Sequence, residues 1–499
     1  MAGQRSFLNA VKWSYTLNWG ERAFSALFTF VLAGILGPKD FGMVSIAMVY
    51  VLFLQMFLDQ GLVAALIQKK HLDPEHLDAV FWMDVVLSLV LVGISALLGS
   101  WWARANHSPE AATFIFVLSL SIPIQGLSVV QNALLQKEMD FRSLSIRSNV
   151  SVIVSGVVGL SMAFGGFHAW ALVGQQLVRD ATTLLLLWKL SPWRPRLEFS
   201  WKHLTELMHF SVSNFLAQLG IFADMQAGSI ILGLIFGPVA VGLYRLADRF
   251  MNTVVAMATS SIQSVALPEF SRLQDKPEEL RKSALSCVRL SATVTVPALT
   301  GLAAVSTPLM AAIGPSWMPA ADVLKILCVL GTAITLAYFT GPLLQALSRP
   351  HHLAILEWAR TAAGTVILVI AGLLVRNSPV NSQLIAIASA RFVTGVFLIT
   401  PIFVYLLMRL CKISFRELTA TIAPSVAAAI SIVLAVVLLE SSGWLTNTKP
   451  IVHLIAEVAF GGIVGVAALL SFEPQLRRYL SSWLQRRLSR RQVAPDGLA

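Results

Sequence analysis

An all-α, polytopic membrane fold is the architecture this sequence predicts, and three observations predict it. Of the 499 residues, 56% are hydrophobic and only 13% are charged, against about a quarter charged in a soluble domain. Apolar runs of about twenty residues, long enough to cross a bilayer as a helix, recur along the whole chain. The chain also repeats itself. Aligned without gaps, residues 20–47 match 220–247 at Gly20, Leu32, Ile35, Gly37, Pro38, Gly42 and Ala47, where roughly two or three identities are expected by chance in such apolar sequence. A duplicated membrane chain suggests a transporter with two related halves. The short alternating segments of a transmembrane barrel are missing from the sequence.

Taken in order, the expected spans are about fourteen, over 12–36, 41–66, 79–103, 111–134, 145–165, 167–189, 204–236, 239–268, 284–313, 320–346, 352–375, 382–408, 418–440 and 451–471. The connections are short and polar, as in QKKHLDPEHLD and SRLQDKPEELRK, and none has room for a soluble domain. MAGQRSFLNAVKW lacks the charged, apolar and cleavage-site pattern of a secretory signal, so the first span is expected to persist in the mature protein. Pro123, Pro297 and Pro401 fall inside spans, where they free backbone carbonyls and bend helices. Cys287, Cys328 and Cys411 belong to different spans with no CxxC or Cys/His spacing, so neither a disulfide framework nor a metal site is expected.

Loop charge sets the orientation. With the N-terminus in the cytoplasm, twenty-five Lys and Arg residues fall on inside segments, and only Lys39, Arg104, Arg376 and Lys449 fall outside. That asymmetry places both termini in the cytoplasm. It also accounts for the net charge of +11 without a nucleic-acid partner. The tail QLRRYLSSWLQRRLSRR reads as a topology anchor or as an amphipathic helix touching anionic membrane lipids.

Charges inside spans are the informative residues, since each costs at least ~2.5–3.5 kcal/mol at mid-bilayer and so faces a cavity or a partner. Ser14, Asn18, Arg22, Ser25 and Thr29 follow helical steps of four and three on span 1, and Ser211, Asn214 and Gln218 form a matching stripe on span 7. Interhelical hydrogen bonding accounts for Ser25 and Thr29. Arg22 needs an anionic partner, and Glu21, about 100° round the helix, is poorly placed to be one. Glu357 and Arg360 are three apart on span 11 and spaced to neutralise one another. Arg179 and Asp180 stand near the end of span 6. On span 8, Arg245 and Arg249 share one face with a single nearby carboxylate, Asp248, an excess of positive charge that suits an anionic ligand. The planar donor fork of arginine matches phosphate. Asp59, deep in span 2, reads equally as a cation or proton site and as a helix-interaction residue. Asp84, Asp224, Lys325, Arg391 and Glu457 complete the intramembrane charges named on spans 3, 7, 10, 12 and 14.

The sequence carries no GxxxxGK[ST], no HExxH and no nucleophile elbow, so no ATP engine, zinc protease or hydrolase signature is present.

LGPKDFGMVSIA with FLDQGLVAALIQKK, then QNALLQKEMDFRSLSIRSNV with GGFHAWALVGQQLV, then FGPVAVGLYRLADR, resemble segments of Wzx-type flippases. These form the polysaccharide-transporter branch of the multidrug/oligosaccharidyl-lipid/polysaccharide (MOP) exporters, and the likeness is nearest to colanic-acid and exopolysaccharide members. The resemblance implies two pseudo-symmetric six-helix bundles, over 1–190 and 204–408, joined by a cytoplasmic linker at 191–203. Two additional transmembrane helices over 409–472 and a basic cytoplasmic tail over 473–499 follow. It implies passage of an undecaprenyl-pyrophosphate-linked oligosaccharide across the bacterial inner membrane by alternating access, with polysaccharide polymerase machinery as a partner and no enzymatic activity. Cations on the first and eighth helices line the cavity in that family, and Arg22, Arg245 and Arg249 are the positions that match by helix. Arg360 and Arg391 are second-half candidates, with Asn18, Asn214 and Gln218 as polar neighbours of the substrate. No cofactor is expected. For a coupling H+ or Na+ the candidates are Asp59, Asp224 and Glu357. The alternative is an ion-coupled multidrug exporter of the same fold, whose cavity would be acidic or apolar. A lipid-modifying enzyme would carry a large periplasmic loop, and none is present.

Overall fold

The computed structural model describes residues 20–59, 62–69, 72–138, 140–347, 350–444 and 448–473, and all regular structure among them is helical. A first helix, α1, covers 20–35. It is followed by α2 (Pro38–Asp59), α3 (Leu62–Gln68), α4 (Pro74–Ala105), α5 (Ala111–Leu118), α6 (Ser121–Gly126), α7 (Val129–Lys137), α8 (Phe141–Phe164), α9 (Trp170–Leu190) and α10 (Trp201–Phe236). Then come α11 (Pro238–Arg272), α12 (Pro277–Ala304), α13 (Ser306–Ile313), α14 (Ala320–Ala337), α15 (Thr340–Ala346), α16 (Pro350–Leu374), α17 (Val380–Val393), α18 (Thr400–Cys411), α19 (Phe415–Ser441) and α20 (Pro450–Phe472).

The sequence states many of these boundaries. Six of the helices open on a proline, at Pro38, Pro74, Pro238, Pro277, Pro350 and Pro450. There its missing N–H costs nothing and its φ is already helical. Asp140 caps α8, accepting from the Ser143 amide at 3.1 Å and from its hydroxyl at 2.6 Å. Those two bonds hold the Asp140 carboxyl below the ordinary range. Ser414 and Glu417 form a reciprocal capping box at the start of α19, which satisfies two otherwise orphaned donors.

Proline also breaks helices here. Pro123 lies in the first turn of α6, just after the break at 119–120 that separates it from α5, and a second break after Gly126 bends 111–126 against 129–137 by 45°. Pro401 follows a π turn at Thr394–Ile399, a wider winding that accommodates the missing donor.

This is a multi-pass membrane protein. Eleven helices among the described residues are long and apolar enough to cross a bilayer, or twelve if the bent 111–137 pair is one span. Of the other expected spans, the first begins outside the described residues. The sixth is α9, a 21-residue helix carrying Arg179, Asp180 and Lys189. Large apolar side chains such as Leu97, Leu185, Leu374 and Ile463 are exposed, as helices that are apolar all round require when lipid is the solvent.

The chain divides into two compact units. One comprises Met1–Thr253, Ile313–Val323 and His351–Thr394. Its core forms where Met43, Ala47, Tyr50 and Leu54 of α2 meet Leu91 of α4, Ile115 and Leu118 of α5, and Val173 of α9. Trp317 is buried in this unit, donating from its indole to the Ala33 carbonyl at 2.8 Å and meeting Phe41 edge-on. The repeated segments touch one another there: Gly42 of α2 lies against the Pro238 carbonyl of α11, and Gly242 of α11 lies against the Pro38 carbonyl of α2. The sequence duplication is thus a reciprocal contact in space.

The other unit comprises Val254–Ala312, Leu324–Pro350 and Gly395–Ala499. In it Phe270, Val288, Phe339, Leu343 and Leu407 pack as a core, and α19 packs between α12 and α20.

Polar contacts at the start of α10 tie it to the loop before α4. Lys69 Nζ is 2.6 Å from Glu206 Oε2, and His76 Nε2 is 3.3 Å from the same oxygen. Glu206 precedes the apolar window of α10, which begins at Gln218. Hydrogen bonds from Lys69 and His76 hold its carboxyl down at about 2, from an ordinary 4.5. A carboxylate with a depressed pKa stabilises the fold fully above its unfolded value and loses that contribution as pH falls. Glu206→Gln is therefore expected to melt below the wild type at neutral pH, with the gap closing as pH falls from 4.5 towards 2. Thermal unfolding in detergent across that range measures it.

Candidate functional site

Most of the intramembrane arginines belong to the first unit, Arg289 of α12 being in the second, and one sharp turn sets those of α11 against α10. Gly237, with φ +82°, ends α10, and Pro238 begins α11 at once. A side chain is strained at that φ, which glycine adopts freely. The resulting helix pair brings Gln226 beside Arg245, and Tyr244 packs over Gly228, where a Cβ would stand 2.9 Å from the phenol oxygen. The α1 helix approaches the same stretch of α11, and Ser25 reaches Arg249.

The arginines then divide by partner. Three are paired with carboxylates. Arg360 Nη2 is 2.7 Å from Glu357 Oε2 on its own helix and 3.1 Å from Asp224 Oδ2 of α10. The Thr361 hydroxyl steadies that arrangement by donating to the Gly220 carbonyl of α10 at 3.3 Å. Arg391 Nη1 donates to the Tyr244 hydroxyl at 2.6 Å and is 3.6 Å from Asp248 Oδ1. Arg179 Nη2 is 2.9 Å from Glu21 Oε1.

The remainder rest on neutral acceptors. Arg245 Nη1 donates to Gln226 Oε1 at 2.9 Å, and Arg249 Nη2 donates to Ser25 Oγ at 3.0 Å. Arg147 donates to Asn132 Oδ1 at 2.7 Å and to Ser148 Oγ at 3.2 Å. Arg22 makes no ion pair among the described residues. The Arg249 side chain is exposed and that of Arg245 is half-buried.

This partition matters electrostatically. Asp248 is the carboxylate that the sequence places nearest to Arg245 and Arg249, and the structure gives it to Arg391 instead. A neutral acceptor orients a guanidinium and leaves it without a carboxylate in direct contact, with Asp248 acting on Arg245 only from beyond ion-pair distance, and a planar cation held that way is a receptor for a doubly accepting anion such as phosphate. Two arginines four apart on one helix double the effect.

The other sequence-derived candidates fall differently. Gln218 is exposed on α10. Asn18 and the side chains of Asp59 and Asn214 lie outside the described residues. Asp224 and Glu357 both stand on Arg360. Thr29 donates to the Ser25 carbonyl on its own helix at 2.7 Å, so the hydroxyl of Ser25 is the interhelical link of that stripe. Arg147 counts in the sequence among the inside loop cations, and the structure places it within α8 instead. Its signal is the Asp140–Ser143 cap, which starts α8 at Phe141 and carries Arg147 nearly two turns into the helix.

Known proteins bear on this site. Residues 31–322, more than half of the chain, match the family model described as "Polysaccharide biosynthesis protein". The chain belongs to this family. Among relatives of this polysaccharide biosynthesis protein is the succinoglycan biosynthesis transport protein ExoT of Rhizobium meliloti (strain 1021), 26% identical over 98% of this chain and 97% of the relative. The lipopolysaccharide biosynthesis protein WzxC of Escherichia coli (strain K12) is 26% identical over 64% of this chain and 65% of its own. Among solved structures, the lipid II flippase MurJ in an inward closed conformation matches with TM-score 0.70 and 15% identity, over 94% of this chain and 99% of that chain. An inward-facing MATE multidrug transporter of the MOP superfamily matches with TM-score 0.60 and 16% identity, over 80% and 96%. At those identities the structural matches speak for the fold.

Proposed function

We propose that this polysaccharide biosynthesis protein is a flippase. It carries an undecaprenyl-pyrophosphate-linked oligosaccharide repeat unit across the bacterial inner membrane by alternating access, in the synthesis of an exopolysaccharide or O-antigen-type polymer. The observation that carries the reading is the pair Arg245 and Arg249, oriented by Gln226 and Ser25 with no carboxylate of their own. A pyrophosphate brings several acceptor oxygens and negative charge to such a pair, and arginine forks bind it with two donors each. Arg22 lies on α1 with Ser25 and joins the same binding role. Arg360 and Arg391 are supporting candidates whose present carboxylate partners would have to be exchanged for substrate.

The chain acts as a transporter and not as an enzyme on this reading, with both termini cytoplasmic as the loop charges require. Polymerase machinery takes up the delivered repeat unit. Asp224 and Glu357 are the coupling candidates, together with Asp59. Because Asp224 and Glu357 converge on Arg360, entry of H+ or Na+ between them is an exchange with a guanidinium. A multidrug exporter of the same fold is the weaker reading, since cations repel one another and the binding pair here is positive.

Deleting the gene tests this directly. Undecaprenyl-pyrophosphate carrying a complete repeat unit is expected to accumulate, as read by mass spectrometry of extracted lipid, and the plasmid-borne gene is expected to clear it. A deletion strain with unchanged lipid-linked intermediates and normal surface polymer overturns the reading.

A further inference from the structure

The second unit holds a cluster that the transport reading does not use. Glu440 lies in the last turn of α19, and His453 and Glu457 lie in the first two turns of α20. One ligand atom from each of the three falls within 4.8 Å of the others. The helices approach closely because Gly461 and Gly465 face α19; a Cβ on Gly465 would stand 2.7 Å from Ile432 Cδ1. Small residues at such crossings let membrane helices pack backbone to side chain.

Glu457 is the unusual member. It is fully buried, and neither of its oxygens has a hydrogen-bond partner among the described residues. His453 Nε2 is 2.7 Å from Glu457 Oε1 but is likewise without a hydrogen bond of acceptable geometry. A fully buried carboxylate whose near neighbours are one imidazole and a second carboxyl is disfavoured unless a proton or a metal cation sits among the three. Glu440, by contrast, is exposed and lines a groove of 490 Å³ together with Lys325, Cys328 and Thr332.

The donor set decides which cation fits. One imidazole nitrogen with two carboxylates suits zinc and its neighbours among the divalent transition metals, whereas sodium, magnesium and calcium favour oxygen alone. We propose that Glu440, His453 and Glu457 bind one divalent transition-metal ion of the zinc class, clamping the connected ends of α19 and α20. His453 and Glu457 sit four apart on one helix face and present their ligand atoms together, a spacing that a search for Cys/His pairs passes over. Asp73, His76 and His203 of the first unit are equally close together, but the Lys69 ammonium already sits against His76 Nε2, so that cluster has its cation.

The test uses the full-length protein in detergent, stripped with chelator and titrated with Co2+ alone, then with Zn2+ in equilibrium dialysis. One ion per chain is expected, with visible ligand-field bands for cobalt. His453→Gln and Glu457→Gln are each expected to weaken binding at least about tenfold, the lower range for disturbing even an outer-shell partner. Glu440→Gln, at an exposed position, provides the same readout if the buried substitution impairs folding. No saturable uptake by the wild type, the result expected if the two carboxyls share a proton, overturns the proposal. So does uptake that all three variants retain unchanged.

Discussion

Gly42→Ala and Gly242→Ala are each expected to remove most of the folded protein from the membrane. The reason is where the added methyl would go. On Gly42 it would overlap the Pro238 carbonyl oxygen and stand 2.5 Å from the carbonyl carbon and 3.0 Å from Cα. On Gly242 it would overlap the Pro38 carbonyl oxygen and stand 2.9 Å from that carbon and 3.0 Å from the Gly42 nitrogen. All of these are helix backbone atoms, so no side chain is available to rotate away. Overpacking against movable neighbours costs about 1–3 kcal/mol. Against two fixed backbones the cost lies at or above the top of that range, a large part of a total stability of about 5–15 kcal/mol. Gly37→Ala is the control, because nothing lies within 4 Å of a Cβ there and φ is not positive. Size-exclusion yield in detergent should collapse for the two clash variants and stay near wild type for Gly37→Ala. Because both substitutions spread the same contact, the double variant should lose less than the sum of the single losses. Wild-type yield from either single variant would show that α2 and α11 do not meet as described.

What the sequence revealed of this architecture follows from the range of each interaction. Helices that are apolar throughout announce themselves, and a proline at the first position marks where six of them begin. The bent pair at 111–137 was readable as one apolar run, with Pro123 as the only hint of its break. Pairs within a helix were also legible: Glu357 and Arg360, three apart, are an ion pair. Partners far apart in sequence were not. Nothing local joins Arg391 to Asp248, Arg360 to Asp224 or Arg179 to Glu21. Hence Asp248 reads as the neighbour of Arg245 and Arg249, whereas its ion-pair contact is with Arg391. The Gly42 and Gly242 identity was visible as a repeat, yet only the packed chain shows that the two glycines belong to a single contact. Geometry also singled out Gln226, and it gave Ser25, which the polar stripe already marks for interhelical hydrogen bonding, its partner Arg249. A neutral residue carries no mark in sequence that it will hold a cation, whereas an unpaired arginine in an apolar span does.

Arg245→Gln with Arg249→Gln is expected to abolish polymer at the cell surface while leaving the protein in the membrane at its normal level. Each arginine gives up one hydrogen bond to a neutral side chain, to Gln226 and to Ser25, at about 1.5–3 kcal/mol apiece because the donor is charged. Removing the half-buried Arg245 cation from an apolar span gives back desolvation free energy, which offsets part of that loss, and a glutamine in place of either arginine can keep a polar contact to its partner. Stability is therefore expected to change little. Substrate binding is another matter. Hydrogen bonds to charged groups contribute about 1.5–3 kcal/mol each, so the loss of one from each arginine amounts to about 3–6 kcal/mol. At 1.4 kcal/mol per decade that is on the order of a hundredfold to ten-thousandfold in affinity. Arg245→Lys with Arg249→Lys separates charge from geometry: it keeps both positive charges but not the fork, and should fall between the extremes. Surface polymer, lipid-linked intermediate and membrane level of the protein, measured together, decide the matter. If the glutamine pair exports normally, the anion receptor lies elsewhere in the first unit. If the protein disappears from the membrane, the two arginines hold the fold and not the pyrophosphate.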